Sequence, residues 1–222
     1  MQISQKTLTI LKNFSTINQS LHFKQGNTLK TISGMKNILA EARLEDEFPR
    51  DFGVYDLNQF LNGLSLYKSP ELDFTNDEFV VIKEGRSRTR YFFSDPSIIT
   101  SPPEKQVSLP TEDVNFELNS ITLERMVKAS SVYQLPDFSV MGDGQEIKLV
   151  VRDKKNETSN DFSLVVGETS NNFCFNFKVE NIKIIPGSYE VTISKKFISK
   201  FESTDYQISY WIALEPDSVY ND

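Results

Sequence analysis

The two halves of this sequence present the same succession of patterns, and no other feature constrains the fold as tightly. Over the 222 residues, a shift of 115 sets Thr7-Leu8 against Thr122-Leu123, Leu11 against Met126, Ser15 against Ser130, Ile17 against Val132 and Gln19 against Gln134. Further on, Gly26-Asn27-Thr28-Leu29-Lys30 echoes Gly144-Gln145-Glu146-Ile147-Lys148. Each half then closes on an aromatic strand and an acidic-Pro step. Tyr91-Phe92-Phe93 precedes Asp95-Pro96-Ser97, and Tyr210-Trp211-Ile212 precedes Glu215-Pro216-Asp217-Ser218. Short apolar spacings recur by chance, so the shared order carries the inference of a duplicated unit. The competing reading is two unrelated α+β domains with similar helices. Pro96, Pro102, Pro103 and Pro110 punctuate Ser94–Pro110, and proline removes a backbone donor, so this stretch reads as the linker. The expected domains are 1–105 and 106–222, each near the commonest domain size.

Strands predominate in the pattern, with a few helices among them. A helix is expected over 4–18 from an N-cap at Ser4, with Leu8, Ile10, Leu11, Phe14 and Ile17 on one face. Strands are expected near 20–24, 28–33, 37–43 and 48–55, separated by Gly26-Asn27 and Ser33-Gly34 turns. A second helix fits 56–67 behind Asp56, burying Leu57, Phe60, Leu61 and Leu64, and strands resume near 70–75, 78–84 and 87–93. In the second half, strand 113–118 leads into helix 120–134, with Leu123, Met126, Val127, Ser130 and Tyr133 inward. The counterpart of the second helix is cut short by Pro186-Gly187, leaving about two turns around 178–184.

No stretch of about 18 apolar residues exists to span a membrane, and the N-terminus, Met-Gln-Ile-Ser-Gln-Lys, lacks the apolar run of a secretory signal. Cys174 is alone between Phe173 and Phe175, so no intrachain disulfide forms, and it reads as a buried thiol in a reducing compartment. The only histidine, His22, sits in an alternating strand pattern and reads as structural. No His/Cys spacing suits a metal, no Gly-rich loop suits phosphates and no nucleophile elbow is present, so no catalytic residue, metal or cofactor is expected. Scattered carboxylates leave open an enzyme whose site is assembled only on folding.

The net charge of −7 argues against binding nucleic acid through overall basicity. Residues 1–109 carry 13 Lys/Arg and 13 Asp/Glu, whereas 110–222 carry 11 and 18, so the whole excess lies in the second half. Where the cations point is then decisive. Lys6 and Lys12 fall on the polar face of the first helix, Arg125 and Lys128 on that of its repeat, and Lys178 and Lys183 flank the short helix. Each could equally be an ordinary solvated residue. Arg86, Arg88 and Arg90 share one face of a strand, which suits an edge protected by charge or a subunit contact better than a phosphate site.

Several segments resemble the sliding clamps of T-even-type bacteriophages. The run from Thr7-Leu8 through Leu11-Lys12-Asn13-Phe14-Ser15-Thr16-Ile17-Asn18 looks like that family's first helix. The most specific match is Val54-Tyr55-Asp56-Leu57-Asn58-Gln59-Phe60-Leu61, followed by Leu64-Ser65-Leu66. Asp95-Pro96-Ser97, Pro186-Gly187-Ser188-Tyr189 and Ala213-Leu214-Glu215-Pro216-Asp217-Ser218 extend the resemblance along nearly the whole chain. It implies an α+β DNA-clamp fold: two similar domains, helices lining a ring and β-sheets outside, closed as a head-to-tail homotrimer around duplex DNA. The implied function is to tether the replicative DNA polymerase without doing chemistry, after loading by an ATP-dependent clamp loader in the cytoplasm of the infected bacterium. A role in late transcription is also implied. Lys6, Lys12, Arg125, Lys128, Lys178 and Lys183 would then face DNA without sequence preference, and Leu135, Pro136, Leu214 and Pro216 would form a pocket for a partner peptide. The rivals are a structural or interaction protein of a virus, an enzyme, and a single-strand binder.

Overall fold

The computed structural model describes residues 1–105 and 107–221. The chain forms two compact units, Met1–Glu104 and Lys105–Asp222. The first contains α1 (Gln5–Ile17), β1 (Leu21–Phe23), β2 (Gly26–Ile32), β3 (Ile38–Phe48), β4 (Phe52–Val54), α2 (Leu57–Ser65), β5 (Glu71–Asp73), β6 (Phe79–Glu84) and β7 (Ser87–Phe92). Ser4 starts α1 as expected, its Oγ accepting the Thr7 N–H at 3.2 Å and satisfying one of the helix's unpaired amides. Asp56 does the same for Gln59 at the head of α2, at 2.9 Å. The inward face of α1 is Thr7, Ile10, Leu11, Phe14 and Ile17. Leu8, expected there, lies half-buried at the flank, and Thr7 takes the place because its hydroxyl accepts a bond from Ser4 Oγ.

β1 pairs antiparallel with β4, β2 with β3, and β5, β6 and β7 form a meander. β3 runs five residues past the expected end, because Leu44 and Phe48 remain buried while acidic residues between them face out. The strand expected over 48–55 is reduced to β4, since Pro49 and Arg50 form a bend. An aromatic layer fills this unit. Phe23 stacks on Phe52 at 4.4 Å, Phe48 meets Phe23 edge-on at 4.8 Å, and Phe60 of α2 meets Tyr91 at 5.0 Å. The start of the expected linker is packed into the same unit. Ser94 bridges to Gly53, Asp95 caps a 3-10 turn at Pro96–Ile98, and Ile99 is buried. A Cβ on Gly53 would lie 2.4 Å from the Ser94 carbonyl oxygen, so the close approach requires glycine there.

The second unit contains β8 (Val114–Leu118), α3 (Ser120–Tyr133), β9 (Asp137–Asp143), β10 (Glu146–Arg152), β11 (Phe162–Glu168), β12 (Asn172–Lys178), a 3-10 turn (Val179–Asn181), β13 (Tyr189–Ser194), β14 (Ile198–Ser203), β15 (Ile208–Ala213) and β16 (Val219–Asn221). After α3, as after α1, come four strands, a helical element and a three-stranded meander. The first and fourth of the four strands pair in both units, as do the second and third. The repeat read from short sequence echoes is therefore a repeat of topology. β8 and β16 are additions of the second unit.

Two expectations fail in the second unit. The expected helix around 178–184 is a single 3-10 turn, because Pro186 follows too closely for an α-helix to propagate. On α3, Leu123, Met126, Ala129 and Ser130 are buried, while Val127 is 50% and Tyr133 49% exposed. The stripe leans from Met126 toward Ala129, and Val127 is turned about 100° from Met126, so it faces away from the sheet. Tyr133 is on the last turn, before Gln134 ends the helix in the left-handed region at φ 52°.

Phe60 is completely buried and links α2 to the aromatic layer. Phe60→Ala is expected to destabilise the first unit by about 3–5 kcal/mol, read by urea unfolding followed through Tyr fluorescence.

Candidate functional surfaces

Among the described residues α1, α2 and α3 carry four cations, Lys6, Lys12, Arg125 and Lys128, and one carboxylate, Glu124. The helices are thus net positive in a chain whose total is −7. All four cations are exposed on the faces opposite the buried stripes. Lys6 reaches Glu45 at 2.7 Å, but both side chains are more than half exposed, so the pair is weak. Among the described residues Lys12 and Lys128 enter no ion pair. The Arg125 guanidinium lies 5.5 Å over the Phe162 ring, which holds it toward β11 while leaving its charge in solvent. α2 is uncharged, as its sequence indicated.

The remaining two expected cations stand elsewhere. Lys178 ends β12 and donates at 2.5 Å to Asp137, a carboxylate only 1% exposed. That hydrogen bond raises the pKa of the ammonium, against desolvation. Lys183 is half-buried beyond the 3-10 turn. The sequence did not disclose Asp137 as the partner of Lys178, because the two are 41 residues apart.

The expected partner surface divides into two kinds of residue. Leu135 and Leu214 are buried at 5% and 7%, whereas Pro136 and Pro216 are exposed. Both segments are tied to the end of β12. Pro136 O accepts the Val179 N–H at 2.9 Å, and the Glu215 N–H donates to Asn176 O at 2.8 Å. A buried polar network, missed in the sequence, secures the same region. Asn176 donates its N–H to Ser218 Oγ at 2.9 Å, and its side-chain oxygen accepts from Ser139 Oγ at 2.8 Å. Lys154 reaches Asp217 at 2.7 Å and holds that carboxyl below its ordinary value through their hydrogen bond. The alternation Phe138-Ser139 and Phe175-Asn176-Phe177 was the available signal for a polar face behind an apolar one.

No group of three or more His, Cys, Asp or Glu suited to a metal occurs among the described residues. No helix among them is long and apolar enough to cross a membrane. His22 lies opposite Gly53 in the β1–β4 pair, half-buried, with no hydrogen-bond partner at Nε2 among the described residues.

A doubled helix-and-sheet unit whose helices are net positive in an acidic chain is the arrangement expected of a DNA clamp. The fold agrees: the structure of A. fulgidus PCNA with a C-terminal region of FEN-1 bound aligns with a TM-score of 0.72 at 13% identity, covering 99% of this chain and 100% of that one. Residues 3–100 match the family described as DNA polymerase processivity factor, and 115–216 match the family described as gp45 sliding clamp, C terminal. The sliding clamp of Vibrio phage KVP40 is 33% identical over 97% of this chain and 99% of its own length. That of Escherichia phage RB69 is 32% identical over the whole of both. The chain belongs to the phage sliding-clamp family, a family of non-catalytic processivity factors for phage DNA replication.

Lys178→Met, which leaves Asp137 without its charge-assisted bond, is expected to cost about 1–3 kcal/mol, whereas Lys12→Met should stay within about 0.5 kcal/mol; urea unfolding compares them. The folded Asp217 carboxyl titrates below its ordinary 3.8, so its ion pair contributes fully above that pH and is lost as pH falls through the lower folded value. Amide exchange at Glu215 and Ser218, corrected for intrinsic rates, should therefore quicken in that acid range. In Asp217→Asn the acid step should be absent.

Proposed function

We propose that three copies of the chain close head to tail into a ring around duplex DNA and that the ring tethers the replicative polymerase. The observation that carries this reading is the segregation of charge: an acidic protein places exposed cations on the helices of two matching units. A few cations give a diffuse attraction to phosphates without base contacts, which suits movement along the duplex. The acidic remainder disfavours DNA on other surfaces. Lys6, Lys12, Arg125 and Lys128 are the principal DNA-facing residues. Lys178 and Lys183 add positive potential from the 3-10 segment, Lys178 with its charge largely offset by Asp137.

Edge strands support assembly. Among the described residues β7 pairs only with β6, and β11 only with β10. β7 carries exposed Arg88 and Arg90, with Arg86 in the turn before it and Phe92 58% exposed. β11 carries exposed Val165 and Glu168. A heterologous contact between such edges closes into a ring when its rotation permits. Six matching units, two per copy, give the ring its pseudo-sixfold character.

The polymerase docks by a short segment at Leu135, Pro136, Leu214 and Pro216, with the two prolines as the accessible part. The A. fulgidus clamp that binds a C-terminal region of FEN-1 supports such a mode on this fold. An ATP-dependent loader opens the ring, the work takes place in the cytoplasm of the bacterial host, and the same docking surface couples the clamp to late transcription.

The test is retention on nicked circular DNA with the cognate loader present. The wild-type protein should stay on the circle, run off after linearisation, and elute as a trimer of the 25.5 kDa chain. Replacing Lys6, Lys12, Arg125 and Lys128 together by neutral residues should reduce retention by about tenfold or more with the trimer intact. Unchanged retention would falsify the helix assignment, and persistence on linear DNA would remove the topological mechanism.

A further inference from the structure

β9, β10, β11, β12 and β16 form one sheet in the order β11-β10-β9-β12-β16. Side chains alternate across its strands, so Phe138, Val140, Leu149 and Phe175 make one apolar face, and Arg152, Cys174 and Asn176 emerge on the other. On this second face a recess of about 610 Å³ opens between the loop 153–161 and the segment 217–219. Its size is within the range of ligand-binding pockets, but its lining is polar and charged rather than apolar.

Arg152 is the anomaly. Its Nη2 donates only to Cys174 Sγ at 3.3 Å and Asn176 Oδ1 at 3.4 Å, both long and both to uncharged acceptors. Its Nε is buried with no acceptor among the described residues. A part-buried guanidinium normally gains a carboxylate, whose two oxygens match its fork of donors. The carboxylates around it are already held: Asp137, directly opposite on β9, by Lys178 at 2.5 Å, and Asp217 by Lys154 at 2.7 Å. The Lys155 side chain, exposed on the adjoining loop, also engages no carboxylate among the described residues, while its backbone N–H donates to Asp153 Oδ1. Among the described residues neither cation's side chain makes an ion pair, although Asp153 and Asp217 also line the recess, and Glu157 and Asp161 stand exposed on its rim without ion pairs.

We propose that this recess docks a peptide segment of a partner protein, seating one Asp or Glu side chain on Arg152 and Lys155 and its flanking basic side chains against Glu157 and Asp161. The mixture of charge selects this occupant. A polyanion such as DNA would meet the rim carboxylates along with the two cations, and like charges brought together oppose binding. A single carboxylate bordered by lysine or arginine satisfies every unpaired group. The site is polar and separate from the Leu135, Pro136, Leu214 and Pro216 surface. It relies on the clamp reading only for why partners are recruited, since the binding itself needs neither DNA nor a closed ring.

The probe is a library of short random peptides with amidated C-termini, so that every peptide carboxylate belongs to a side chain, screened on wild-type protein and on Arg152→Met without DNA. Peptides held by the wild type alone should carry one acidic residue with Lys or Arg within two positions. By fluorescence anisotropy the consensus peptide should weaken about tenfold or more on Arg152→Met, which is about 1.4 kcal/mol. It should weaken comparably when its own acid becomes the amide. Should Arg152→Met misfold by circular dichroism, Lys155→Glu on the exposed loop supplies the same reading, with a loss of about fivefold or more. Selected peptides without an acid, or equal binding to wild type and variants, overturn the proposal. So does a short DNA duplex that displaces the peptide and depends on Arg152 to bind. Failure in this assay leaves the retention experiment on circular DNA untouched.

Discussion

Phe23 and Phe52 are direct partners in the pairing of β1 with β4, and their rings stack at 4.4 Å. Each of those strands is only three residues long, too little ladder to stand unaided. The aromatic contact holds them, and the unit is arranged around it: Phe48 from β3 meets it edge-on, and α2 adds Phe60. The second unit answers with Phe138 and Phe177, partners across β9 and β12. An aromatic pair bridging the first and fourth strands is thus the shared fastening of both halves. Because one face of each sheet is committed to this layer, the helices present their charged faces outward.

The charges are sorted by the work they do. Cations on α1 and α3 remain exposed, even Lys6 beside Glu45 and Arg125 over Phe162. Lys178 and Lys154 instead converge on Asp137, at 2.5 and 3.9 Å, where a nearly inaccessible carboxylate demands compensation. Positive residues that look alike in a list of lysines therefore divide into surface potential and internal structure. The division follows from what lies opposite each one across the sheet.

Much of this fold was legible in the sequence. The caps Ser4 and Asp56 place the starts of α1 and α2, because capping is local chemistry between residues three apart. The repeat was legible because it depends on order. The misreadings occur where distant residues decide. Val127 and Tyr133 fit an apolar helical face by spacing, yet the sheet beneath α3 covers Ala129 instead. Leu135 and Leu214, read as walls of a pocket, are buried beside the exposed Pro136 and Pro216, a difference in depth that apolar character alone does not signal. Asp137 with Lys178, and Asn176 with Ser218, are joined across 41 and 42 residues, a separation at which no sequence spacing signals contact. Arg152 stood at the end of a strand with nothing to mark it until Cys174 and Asn176 were placed beside it.

The lost helix of the second unit has its own consequence. Where α2 stands in the first, residues beyond the 3-10 turn are secured by side chains: the Ile185 N–H donates to Tyr210 Oη at 3.2 Å, and Tyr189 Oη donates to the Ile185 carbonyl. Burial pushes both phenols far up in pKa, so both stay protonated. A helix draws its bonds from a backbone that every residue type supplies, so its sequence drifts freely wherever the apolar stripe is kept. This segment draws them from two particular hydroxyls. Over evolutionary time the two halves should diverge at unequal rates here, with α2 varying in identity and Tyr189 and Tyr210 held fast.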